Sequence, residues 1–351
     1  MKTYRNLYPQ IVSFENLYLA FRKARKGKRG RPEVAAFELD LEANLFRLQE
    51  ELAARTYVPG PYRNFYIRER KLRLISAAPF RDRVVHHALC RVLDPIWERR
   101  FVYDSYACRR GKGTHKALDR CQQFARSHAY VLQCDVHQFF PAIDLQILRA
   151  KLARLIGDGD VLWLVDQILD GGAGVLAPMY EPEWFPGDDL LAPLRPRGLP
   201  IGNLTSQTWA NVYLDSLDQF VKRELRCRAY VRYCDDFILF HDDKAQLHSW
   251  KEAVQRCLND LRLNLNWRRA AVYPTRTGIP FLGIRIFPSH RRLRADNVRL
   301  ARARLRRNRD AYHAGRLPVS KFRESLLAWL AHAAHGDTYR LRRAMLREIV
   351  L

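Results

Sequence analysis

The stretch AYVRYCDDFILF at 229–240 places two adjacent carboxylates, Asp235 and Asp236, inside a run that is otherwise mostly apolar, aromatic or β-branched. That is strand composition. Neighbouring carboxylates in such surroundings repel each other and resist burial unless positive charge arrives. A second apolar stretch, AYVLQCDVHQFF at 129–140, contains Asp135. If the two stretches pair, three carboxylates meet at one edge of a sheet. Hard oxygen donors of that kind suit Mg²⁺, which takes one or two carboxylates and completes its shell with phosphates and water. Two such ions ~3.5–4 Å apart stabilise the attacking and leaving oxygens of a phosphoryl transfer. An Asp-Asp pair taken alone is more often a solvated turn; the strand-like flanks and the preceding Tyr233 argue against that here.

The elements that must hold these residues follow from periodicity. Residues 1–58 read as helical, as in VAAFELDLEANLFRLQEELAART, interrupted by the basic loop KARKGKRGRP. YRNFYIRERKLRLISAAP alternates like a strand pair, and FRDRVVHHALCRVLDPIWERRF returns to helical spacing. Within the latter, Arg81 and Asp82 read as a structural ion pair, and His86 and His87 as helix-face histidines. The strand ending at Asp135 precedes a helix, LQILRAKLARLIG. Gly171–Pro200, rich in Gly and Pro, reads as a long loop or hairpin. SQTWANVYLDSLDQFVKREL is expected to be an amphipathic helix. After the Asp pair come the helix AQLHSWKEAVQRCLNDL and the strand-like AAVYP and PFLGIRIF. From about 290 onward the chain is helical and basic. The order of elements across 130–240 predicts an α+β sheet domain with helices packed on one face.

Composition narrows the function classes. The 351 residues carry 61 Lys+Arg against 37 Asp+Glu, a net charge of +24, with 48% hydrophobic residues. That is a folded protein drawn to polyanions, nucleic acid first. The N-terminus MKTYRNLYPQ lacks the apolar run of a signal peptide, and no segment approaches the ~20 apolar residues of a membrane span. Seven cysteines form an odd set with no CxxC pair. They are expected to be reduced thiols, mostly buried, rather than a zinc site. A cytoplasmic protein with no membrane partner is the resulting expectation.

YCDDFILF matches the YxDD box of reverse transcriptases, and QCDVHQFF resembles their first acidic motif. With the motifs below, the resemblance runs in order through roughly residues 60–290. It implies a right-hand polymerase with an N-terminal helical extension (1–58), fingers (59–130), palm (131–289, with some fingers elements in 141–200) and a basic helical thumb (290–351). It implies two Mg²⁺ ions, for which Mn²⁺ substitutes, on Asp135, Asp235 and Asp236, with the Val136 carbonyl lending a further oxygen. Phe140, five residues past Asp135, falls at the family's steric gate and favours deoxynucleotides, whereas Phe139 is expected to be core. In RKLRLISAAPFRDRVVHHAL, Arg73 falls on the triphosphate-binding arginine, with Lys71 or Arg70 as a second cation. Arg269 in LNLNWRRA is expected to act electrostatically, because an arginine is a poor proton donor. PFLG resembles the primer grip, formed by Phe281, Leu282 and Gly283.

GLPIGNLTSQ at 198–207 separates the branches of this family. Most members carry Gln where Ile201 stands and Pro where Gln207 stands. The IGNLTSQ form, with Ile201, Gly202 and Gln207 near the incoming dNTP, is similar to that of diversity-generating retroelement reverse transcriptases. LISAAPFRDRVVHHAL and SLLAWLAHA resemble that group too. This implies a bacterial or phage-encoded enzyme that copies a template-repeat RNA into cDNA error-prone at adenines, which then replaces a variable region of a target gene. The partners implied are template RNA, the RNA/cDNA duplex, dNTPs and an oligomer of a small basic accessory variability protein. Other stand-alone types, whether retron, defence or group II intron, share the catalytic motifs and stay open. So does a catalytically silent RNA-binding scaffold, against which the three intact aspartates weigh.

Overall fold

Residues 3–68 and 72–349 are described by a computed structural model. Four helices come first: α1 (Tyr8–Val12), α2 (Phe14–Ala24), α3 (Pro32–Leu39) and α4 (Leu41–Ala53). The Ser13 side chain caps α2 by accepting from the Asn16 amide, and Pro32 opens α3 where its missing N–H costs nothing. Leu17, Ala20, Phe21 and Ala24 recur at helical spacing and bury one face of α2. Strands β1 (Arg63–Arg68) and β2 (Leu72–Ala77) form an antiparallel hairpin, with Arg73 opposite Ile67. Lys71 and Arg70 lie outside the described residues. Helix α5 (Phe80–Glu98) follows and supports α2. The expected Arg81–Asp82 pair does not form as such. Arg81 pairs with Glu51 of α4, while Asp82 accepts from the Tyr57 hydroxyl and the Gly60 amide.

Next come α6 (Thr114–Ser127), β3 (Tyr130–Asp135), the single turn α7 (Phe139–Ala142), α8 (Leu145–Ala153), α9 (Gly159–Gly172) and α10 (Leu204–Gln219). The Gly- and Pro-rich connection between α9 and α10 is a long loop carrying two short 3₁₀ turns. Strands β4 (Tyr230–Tyr233) and β5 (Asp236–His241), helix α11 (Lys244–Asn259) and β6 (Ala271–Pro274) complete an antiparallel sheet of order β4-β5-β3-β6.

Two expectations need correction here. Helices do not cover this sheet on one face only. Leu132, Cys134, Phe237 and Leu239 join the core shared with α10 and α11, whereas Val131, Val231, Ile238 and Phe240 pack with Ala117, Leu118 and Cys121 of α6. Successive strand residues point to opposite faces, so consecutive apolar residues require cover on both. Helix α10 is likewise not amphipathic: Thr205, Trp209, Asn211, Tyr213, Leu214, Asp215 and Asp218 are buried around its circumference. It runs through the interior.

A further antiparallel sheet, β7 (Ile279–Phe281), β8 (Ile284–Ile286) and β9 (Arg291–Leu293), packs beside α6. The chain then enters α12 (Ala295–His313), α13 (Val319–Ala333) and α14 (Tyr339–Ile349), which share their own small core of Leu305, Phe322, Trp329 and Met345. All seven cysteines are free, four of them buried. Among the described residues no helix is long and apolar enough to cross a membrane.

Candidate active site

The register of the central sheet brings the acidic residues together. Asp135, the last residue of β3, lies directly opposite Asp236, the first of β5. Tyr233 pairs with Asp236, leaving Cys234 and Asp235 as a two-residue hairpin turn. Tight hairpins of this length need positive φ at the first central residue, and Cys234 supplies it at 59°. Asp235 therefore sits at the turn and Asp236 beside it, both at the sheet end reached by Asp135. The Val136 amide donates to the Asp235 carbonyl at 3.3 Å and ties the two strand ends together.

Charge crowding follows. Burial, then the negative charges of Asp235 and Asp135, push Asp236 up to about 7. Asp235 is raised too, by burial and by Asp135, against smaller opposing effects from its own amide, the Cys234 thiol and Arg73. One Asp135 oxygen accepts from Asn266 Nδ2 and from the Arg269 guanidinium, both at 3.1 Å. Among the described residues no three His, Cys, Asp or Glu side chains already form a metal cage. A site that takes one or two carboxylates and draws its remaining ligands from substrate phosphates has no need of one. The donor chemistry fits a hard cation: acidic oxygens only, with repulsion that positive charge would relieve.

Of the residues expected on the nucleotide side, Arg73 lies on β2 and the Ile201–Gly202 segment packs against that strand. Arg73 is exposed on that strand and acts electrostatically on Asp235. The Ile201 carbonyl accepts from the Ser76 amide at 2.9 Å, which fastens the loop before α10 to the same strand. Gly202 holds φ at 115°, where a Cβ would lie 3.0 Å from the Ile75 methyl, so a side chain there is both strained and crowded. Gln207 is exposed on the first turns of α10. Phe140 is half-buried with its carbonyl accepting from Leu199, while Phe139 is buried in the core as expected.

Sequence reading missed Asn203. Buried, it donates to the Ser76 and Pro200 carbonyls at 2.8 and 3.1 Å and accepts from the Ala78 amide at 3.1 Å. An Asn before a helix signals an N-cap, yet this side chain makes no cap bond and clamps the loop to β2 instead. Asn266, which holds Asp135, was missed as well and carries no local signal.

Leu282 and Gly283 form the two-residue turn between β7 and β8 with φ of 47° and 87°. Phe281 is buried beneath it. The Gly283 carbonyl accepts from Asn297 of α12 at 2.8 Å, and Gln133 of β3 donates to the Pro280 carbonyl at 2.8 Å. The hairpin is thus bonded both to the strand carrying Asp135 and to the first C-terminal helix.

A family model described as reverse transcriptase (RNA-dependent DNA polymerase) matches residues 67–286, a span that contains all three aspartates, Arg73 and the PFLG turn. The chain belongs to the reverse transcriptase family. It is an RNA-directed DNA polymerase with an RNA template and nucleotide substrates. The polymerase is 25% identical over 291 residues to protein YkfC of Escherichia coli, covering 70% of this chain and 72% of that one. It is 26% identical over 183 residues to the group II intron-encoded protein LtrA of Lactococcus lactis, and 23% over 215 residues to nuclear intron maturase 1 of Arabidopsis thaliana. It spans only 28% and 29% of those two relatives, and 51% and 50% of its own length is matched. The polymerase is therefore related to group II intron reverse transcriptases and maturases. A solved telomerase from Candida albicans, 12% identical, covers 72% of this chain and 49% of its own with a TM-score of 0.46.

Proposed function

We propose that the polymerase performs nucleotidyl transfer with Asp135, Asp235 and Asp236 as its acidic centre, and that it is a mutagenic reverse transcriptase of the diversity-generating type. The register that sets Asp135 against Asp236, with Asp235 at the adjoining turn, carries the first part. Two divalent ions, Mg²⁺ or Mn²⁺, held by these carboxylates with the Val136 carbonyl, would activate the attacking 3′-hydroxyl and shield the leaving pyrophosphate. The chain's own residues do the rest. Arg73 offers a fork that matches phosphate geometry on the triphosphate side. Arg269, against Asp135, adds fixed positive charge rather than a proton. Phe140 closes the space beneath the sugar, and the Phe281–Gly283 turn holds the primer end. Lys71 is the proposed second cation of the triphosphate clamp.

Primer extension on an RNA template tests the acidic centre. Asp235→Asn is expected to lower kcat by ~10³-fold or more while leaving template binding intact. Extension at the wild-type rate by this variant would overturn the assignment.

The finer reading rests on Ile201. Its backbone is fastened to β2, but its hydrocarbon side chain offers neither donor nor acceptor to an incoming nucleotide. Loss of a polar contact there loosens control of nucleotide position, and an accessory protein and structured template RNA complete the proposed system. Ile201→Gln is expected to reduce misincorporation opposite template adenine. An unchanged error spectrum would remove the support for adenine mutagenesis and leave a reverse transcriptase of the intron type, to which the related intron proteins point.

A further inference from the structure

Among the described residues Arg232 is the largest side chain buried without solvent exposure, and it lies two residues before the hairpin turn that presents Asp235. Its guanidinium spends its donors on three groups. Nε and one terminal nitrogen form a fork with Asp218 of α10 at 2.7 and 2.6 Å. The other terminal nitrogen donates to Asn211 Oδ1, also on α10, at 3.1 Å, and to the Cys234 carbonyl at 3.0 Å. The Tyr230 hydroxyl adds a 2.7 Å bond to Asp218. The backbone is gripped as well: the Arg232 amide donates to the Asp104 carbonyl and its carbonyl accepts from Tyr106, both at 2.9 Å.

A buried charge pair is weak support for stability by itself, because desolvation offsets much of the attraction. What this pair does geometrically is specific. Cys234 is the positive-φ residue on which the turn hinges, and its carbonyl precedes the Asp235 amide. Helix α10 starts at the Asn203 clamp beneath β2 and continues through Asn211 and Asp218. One buried helix therefore references both the nucleotide-side loop and the acidic turn.

We propose that Arg232 is a positioning residue: the fork from α10 fixes the Cys234 carbonyl and so sets where Asp235 and Asp236 stand relative to the bound nucleotide. This rests on the assignment of those two aspartates as reacting groups. A displacement of about 1 Å in a reacting group can lower a rate ~10²-fold, so a lysine, which keeps the charge but has no planar fork, is informative. For Arg232→Lys, pre-steady-state nucleotide addition is expected to show a burst about 10²-fold slower but of near wild-type amplitude, with the KM for dNTP within about twofold. Hydrogen exchange of the 233–236 amides is expected to speed up. A purely structural role predicts the reverse, a smaller burst at the wild-type rate.

Because Arg232→Lys could leave Asp218 poorly paired and the chain misfolded, the double variant Arg232→Met with Asp218→Leu is judged by the same readouts. It replaces the ion pair by apolar groups and still removes the bond to Cys234. A wild-type burst rate in either folded variant overturns the proposal. Wild-type extension by Asp235→Asn overturns instead the assignment beneath it, so the two failures are told apart.

Discussion

Single side chains in this polymerase show how burial changes chemistry. Asp236 is driven towards neutrality by burial and by two neighbouring carboxylates, which is the opposite of what an exposed Asp-Asp turn would do. His86, expected on a helix face, is almost wholly buried, and its Nδ1 has no hydrogen-bond partner among the described residues. Burial first, then the nearby His87 and Arg83, depress its pKa to about 3. Between that value and the ordinary ~6.5 the unfolded chain binds a proton that the folded chain refuses. The stability tied to neutral His86 is therefore complete above pH ~6.5 and is lost as pH falls towards 3. Acidification from pH 7 to 5 is expected to cost about 2 kcal/mol through this group. His86→Leu should flatten that part of the profile in denaturant melts at each pH. An unchanged slope would show that other groups dominate.

At the scale of elements, the site is assembled by short polar clamps between pieces far apart in sequence. Asn203 joins the loop before α10 to β2, and Gln133 joins β3 to strand β7. Asn203→Ala leaves the Ala78 amide and two carbonyls buried without their partner, a loss of about 1–3 kcal/mol. It also leaves the Ile201–Gly202 segment fastened to the strand that carries Arg73 by the Ser76–Ile201 backbone bond, without the Asn203 clamp. The expected result is a lower melting temperature together with a several-fold higher KM for dNTP and a smaller change in kcat. An unaltered KM would mean that the clamp serves folding alone. The α12–α14 unit has the opposite character, with a small core and an arginine-covered exterior.

For the molecule as a whole, a net charge of +24 predicts strong, salt-sensitive binding of RNA and RNA/cDNA duplex. The basic residues are not equivalent. Arg302 and Arg306 of α12 are paired with Glu348 of α14. Arg304 and Arg307 are exposed and make no ion pair among the described residues. Each cation that neutralises a phosphate contributes ~0.7–0.9 to the slope of log affinity against log salt. The double substitution Arg304→Gln with Arg307→Gln is thus expected to make the slope shallower by about 1.5. Arg302→Gln with Arg306→Gln should change it less, as measured by fluorescence anisotropy across a KCl series. Equal effects from both pairs would argue against selective use of the free arginines.

Sequence by itself determined most of the local elements and the family motifs they carry. Alternation marked β1 and β2, and apolar, β-branched composition marked β3 and the strands flanking Asp235 and Asp236. These patterns are legible because strand periodicity and turn geometry depend on residues a few positions apart. The two-sided cover of the central sheet was also written in the continuous apolar runs, although the element order pointed to one face. Only the tertiary structure decided the rest. It set Asp135 opposite Asp236, placed Arg73 near Asp235, turned Asn203 from a cap into a clamp, and buried Arg232 against Asp218. Each of those contacts joins residues on separate elements, and no local pattern encodes which partner a polar side chain will meet. That choice is made by packing, because a buried donor or charge must find its partner wherever the fold has brought one.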